Sequence, residues 1–71
     1  MSSYDYRVEI GPLAAIDGSG FVAVVPDLPG CRSDGETPQE ALTNVYDAIA
    51  CWIEAAREMG REVPPPHRAA A

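Results

Sequence analysis

The residues able to do chemistry gather in one stretch. Within PDLPGCRSDGETPQEAL, residues 26 to 42, Cys31 and the carboxylates Asp27, Asp34, Glu36 and Glu40 stand among three prolines and two glycines. A Cys31 thiolate could serve as a nucleophile if an imidazole lay within hydrogen-bond reach and a third group oriented it. The chain holds one histidine, His67, beyond three consecutive prolines, and an imidazole in such a tail meets that geometric demand poorly. The four acids could offer oxygen ligands to a divalent cation. Their spacing matches no calcium loop, however, and each has a local structural use. Glu40 suits a capping box, Asp34 and Glu36 favour a turn and the positive end of a helix, and Asp27 can brace its own turn. No GxGxxG or Walker loop occurs, and no Cys/His set has zinc spacing. No catalytic residue, metal site or cofactor is therefore expected. The stretch reads as punctuation, and Cys31 as a small buried side chain.

The elements around it follow from periodicity. YDYRVEI, residues 4 to 10, alternates Tyr4, Tyr6, Val8 and Ile10 with Asp5, Arg7 and Glu9, the pattern of a half-buried strand. Gly11-Pro12 is expected to interrupt it, with a possible continuation through LAAI past a bulge. Asp17-Gly18-Ser19-Gly20 supplies hairpin chemistry. FVAVV, residues 21 to 25, is apolar throughout and suits a central strand covered on both faces, partly by a second subunit. Pro26 ends it, Pro29-Gly30 turns, and residues 31 to 33 can form a short third strand. Thr37, Pro38 and Glu40 then open a helix with a capping box and a proline at its first position. The helix should run from Pro38 to Met59 and stop at Gly60. Leu42, Val45, Tyr46, Ile49, Trp52, Ile53 and Ala56 fall within a stripe about 120° wide, with Ala41, Ala48 and Ala55 along one edge. Gln39, Glu40, Asp47, Glu54, Arg57 and Glu58 lie opposite, and Cys51 falls among them. REVPPP after Gly60 suggests a short fourth edge strand running into an extended proline segment. The expected architecture is α+β, a three-stranded antiparallel meander packed by one long helix, with a domain over residues 1 to 63 and a proline-rich tail over 64 to 71.

Charge narrows the partners. The chain of 71 residues carries a net charge of −6, from five arginines, no lysine and eleven acids. Residues 1 to 53 hold eight acids against Arg7 and Arg32 alone. An acidic body repels phosphate, so direct nucleic-acid binding is not expected, whereas a basic protein would be attracted. Asp27, Asp34, Glu36, Glu40, Asp47 and Glu54 are the candidate contact residues. Two cysteines, no apolar leader and no run long enough to span a bilayer point to a reduced cytoplasmic protein. So short a chain gains from covering its core with another copy, and a homodimer or homotetramer is expected.

Taken in order, these signals carry a resemblance. Tyr6-Arg7-Val8, the glycine turn before Phe21, Pro26-Asp27-Leu28-Pro29-Gly30-Cys31, Asp34-Gly35-Glu36-Thr37 and Glu40-Ala41-Leu42 come first. Asp47-Ala48-Ile49, Trp52, Gly60 and Val63-Pro64-Pro65-Pro66 follow. Over about residues 4 to 66 the sequence resembles the HicB-like antitoxins of toxin–antitoxin pairs. The resemblance implies a partial ribonuclease-H-like β-β-β-α-β fold without that enzyme's catalytic acids. It also implies a partner, the HicA toxin, a small basic protein that cleaves mRNA through a histidine and is masked by the antitoxin. Many members of that family continue into a C-terminal ribbon-helix-helix or helix-turn-helix domain that binds operator DNA, whereas this sequence stops soon after its prolines. Three functions compete. The leading one is an antitoxin that binds and masks a HicA-like toxin; the second is an orphan oligomeric interaction module; the third is a small enzyme using Cys31 or the acidic cluster.

Overall fold

The computed structural model describes residues 5–13 and 20–66. Three strands, β1 (Glu9–Pro12), β2 (Phe21–Val24) and β3 (Arg32–Gly35), precede one helix, α1 (Pro38–Glu58). The strands form an antiparallel meander in the order β1-β2-β3. Glu9 pairs with Val24 and Pro12 with Phe21; Phe21 pairs with Gly35 and Val24 with Arg32.

The first strand lies later than alternation suggested, and hydrogen-bond parity explains why. The Leu13 N–H donates to the Gly20 carbonyl at 3.0 Å, so Leu13, Gly11 and Glu9 turn their N–H groups toward β2. The next such pair would join Arg7 to Pro26, and proline has no N–H to give. The ladder therefore stops, and residues 5 to 8 run on unpaired with a strand. Pro12 falls on the alternate set, whose N–H groups face outward, so it sits inside β1 at no cost in ladder bonds. The Gly11-Pro12 interruption is thus corrected. The hairpin turn expected at residues 17 to 20 lies outside the described residues except for Gly20, which has φ +138. Tyr4 and the LAAI segment beyond Leu13 also fall outside them.

The second hairpin is held by its own backbone. The Val25 N–H donates to the Cys31 carbonyl at 3.0 Å, Leu28 N–H to the Val25 carbonyl at 3.1 Å, and Cys31 N–H to the Leu28 carbonyl at 2.9 Å. Gly30, at φ +80, supplies the left-handed residue that this reversal needs. The result drives Leu28 inward until it is fully buried.

Alternation puts Ala23, Val25, Cys31, Ser33 and Gly35 on the face that meets α1. Ala41, Val45, Ile49 and Ala56 are the buried helix residues, and Leu42, Tyr46, Ala48, Trp52 and Ile53 pack around them, as the stripe required. At the Gly35 end the layers come very close: a Cβ on Gly35 would sit 2.5 Å from the Ala41 nitrogen. Thr37 caps the helix, its Oγ1 accepting from the Glu40 N–H at 3.1 Å. Glu40 reaches back one residue further than expected, its Oε1 accepting from the Glu36 N–H at 3.3 Å rather than from Thr37. At the far end Gly60, at φ +70, closes a Schellman motif: its N–H donates to the Arg57 carbonyl and that of Arg61 to the Ala56 carbonyl, at 3.1 and 2.8 Å.

The fourth edge strand does not form. Residues 61 to 66 carry no strand, since Pro64, Pro65 and Pro66 cannot donate to a ladder. A side-chain bond ties this segment to the body instead, from the Tyr6 hydroxyl to the Pro64 carbonyl at 2.6 Å. No helix among the described residues is long and apolar enough to cross a membrane.

Candidate partner-binding surface

The six candidate acids do not share one surface. Glu40, Asp47 and Glu54 are all exposed on α1, opposite its buried stripe, and Glu36, just before the helix, is exposed as well. Seven residues make two helical turns less about 20°, so Glu40, Asp47 and Glu54 follow one another along one line at intervals of about 10 Å. Glu58, four residues past Glu54, continues it. Asp34 stands apart: it pairs with Val22, on the sheet face turned away from the helix, because β3 alternates. Its backbone carbonyl accepts from Asn44 Nδ2 at 2.8 Å. Asp27 is half-buried in the turn after β2, near enough to Tyr6 for its charge to act on the phenol.

Tyr6 is buried at 3 % exposure. Burial first, then the negative charges of Asp27 and Asp5, push its pKa up against a smaller opposing effect of Arg57. The phenol therefore stays protonated and able to donate to Pro64. Trp52 likewise spends its indole N–H on the Pro29 carbonyl, at 3.0 Å, tethering the proline turn to the helix. Neither bond was legible from spacing. The signal was generic, since the polar tips of buried Tyr and Trp find partners.

Cys31 is buried, and burial pushes its thiol pKa up. A desolvated thiolate is a poor species to populate, which opposes nucleophilic use. His67, its supposed base, lies outside the described residues. Among the described residues no three His, Cys, Asp or Glu side chains converge to hold a metal ion. Cys51, by contrast, is exposed, as the helical wheel placed it. Ellman's reagent is expected to titrate one thiol promptly in the native protein and the second, Cys31, at least about a hundredfold more slowly or only in denaturant. Two fast thiols would show that the proline turn does not seal the core.

The molecule thus has an acidic line on the helix, Asp34 apart from it on the outer sheet face, and the Cys31 thiol buried beneath. Comparison with known proteins gives this arrangement its context. A family profile described as the HicB-like antitoxin of bacterial toxin–antitoxin systems matches residues 6–71. A UPF0150 protein of Thermoplasma acidophilum is 41% identical over 49 residues, covering 68% of this chain and 71% of the relative. Antitoxin HicB 2 of Photorhabdus laumondii is 34% identical over 50 residues, covering 70% of this chain and 36% of the relative. An uncharacterized protein of Haemophilus phage HP1 is 47% identical over 45 residues, covering 63% of this chain, which spans about a third of its length at 34%. No solved structure matches the chain. The chain belongs to the HicB-like antitoxin family of bacterial toxin–antitoxin systems.

Proposed function

We propose that this chain acts in the cytoplasm as the antitoxin of a two-component pair, binding a HicA-like mRNA-cleaving toxin and covering its active site. It works by shape and charge and performs no chemistry of its own. One observation supports the reading beyond family: the line Glu40, Asp47, Glu54 and Glu58, all exposed along α1. An RNA-cleaving protein must be basic where it grips phosphate. A ridge of carboxylates on a rigid helix offers that surface a competing anion, preorganised and with little ordering cost. Glu36 extends the ridge past the helix start. Asp27 and Asp34 contribute through the long-range field, since their positions take them off the ridge.

The test is co-expression and purification with the protein encoded by the neighbouring gene. A stable complex and relief of growth arrest are expected. The exposed pair Asp47→Arg and Glu54→Arg should slow association by at least about tenfold at low salt, and the wild-type rate should fall as salt rises. Glu40 is left intact in this test because it also caps the helix. An association rate indifferent to both salt and the double reversal would overturn the charge argument.

A further inference from the structure

The sheet face turned away from α1 is charged unlike the rest of the molecule. Pairing places Glu9, Val24 and Arg32 in one cross-strand row and Gly11, Val22 and Asp34 in the next. Arg7 joins this face through its ion pair with Glu9. Arg7 and Arg32 are the only cations among residues 1 to 53 of a chain whose net charge is −6. Both stand here, with Glu9 and Asp34, around two half-buried valines. The charges of the two rows and Arg7 therefore sum to zero, while the polar side of the helix carries Glu40, Asp47, Glu54 and Glu58 against Arg57 alone. A basic partner gains nothing from a neutral face. A surface that carries both signs around an apolar centre can instead complement itself.

We propose that a second copy of this chain packs here, sheet against sheet, around a two-fold axis lying between the two faces. An isologous contact brings each residue against a symmetry-related position, and both in-plane axes satisfy the charges. With the axis along β2, the row Glu9–Val24–Arg32 meets itself reversed. Arg32 then faces Glu9 of the second copy, and valine faces valine. With the axis across the strands, the two rows exchange, and Arg32 faces Asp34 of the second copy. This face also carries a concavity of about 330 Å³ lined by Leu13, Val22, Arg32, Ser33 and Asp34, room for an opposing side chain. The molecule measures only 17 Å in its thinnest direction, one helix layer on one sheet. A second sheet stacked about 10 Å away would give the valines the cover they lack.

The sheet edges offer less. Pro12 removes an outward donor from β1, and Asn44 already occupies the outward Asp34 carbonyl of β3. Both are features that blunt edge pairing, and they leave the face as the route to assembly.

The experiment is sedimentation equilibrium on the protein alone, with no toxin present, so its outcome is independent of the antitoxin reading. The wild type is expected to dimerise. Arg32→Glu, at an exposed position, should weaken the dimer at least about tenfold, with its thermal midpoint confirming an intact fold. Asp47→Arg with Glu54→Arg should leave the dimer unchanged. Restoration of the dimer by Glu9→Arg in the Arg32→Glu background supports the axis along β2; restoration by Asp34→Arg supports the axis across the strands. A wild type that stays monomeric, a dimer indifferent to Arg32→Glu, or rescue by neither second change overturns the proposal.

Discussion

Gly35→Ala is expected to lower the urea midpoint more than alanine at any other glycine among the described residues, at a cost of about 3 kcal/mol. The added carbon would lie 2.5 Å from the Ala41 nitrogen, 2.8 Å from the Glu40 carbonyl carbon and 2.9 Å from Glu40 Cβ. Two of these three atoms are helix backbone, so no rotamer change relieves the overlap. The first turn of α1 must move off β3, and with it go the Thr37 cap and the packing of Ala41, which is fully buried. Gly11→Ala is the matched control, because a Cβ there meets nothing within 4 Å. Equal midpoints for the two variants, with unchanged slopes, would show that the helix can stand further from the sheet than it does here.

Leu28→Ala should rival it, at about 3–5 kcal/mol. Leu28 lies in a turn, yet it is among the largest side chains with no exposure at all. Its backbone is fixed on both sides, by the bond from its N–H to Val25 and the one its carbonyl accepts from Cys31. The turn cannot collapse into the space left behind, so the full cavity cost is expected. For a domain whose whole stability is only about 5–15 kcal/mol, that loss is a large share. Leu42→Ala, on the helix but only half-buried, should cost clearly less in the same urea titration. A smaller effect at Leu28 than at Leu42 would mean that the turn is a lid rather than part of the core.

The helix was legible almost to the residue because its signals are local. Thr37, Pro38 and Glu40 start it, Gly60 ends it, and the apolar stripe needs only 100° steps between neighbours. β1 was not, because its limits depend on which N–H groups face β2, a parity set by pairing rather than by composition. That parity let Pro12 into the strand and made Pro26 end the ladder. The absent fourth strand has the same origin, a partner that three prolines cannot supply. At the candidate surface the seven-residue spacing of Glu40, Asp47 and Glu54 was readable in advance. The separation of Asp34 from them was not, since it follows from β3 alternation once Gly35 has been pressed against the helix.

Near the two limits of the described chain, one phenol is joined to one proline carbonyl, residues 58 apart in sequence. Pro64 is consequently held beside the residues that lead into the first strand, by a contact formed near the opposite terminus. That makes Tyr6 the anchor of a segment to which no strand is bound, so a single hydroxyl near one terminus sets where the prolines near the other lie.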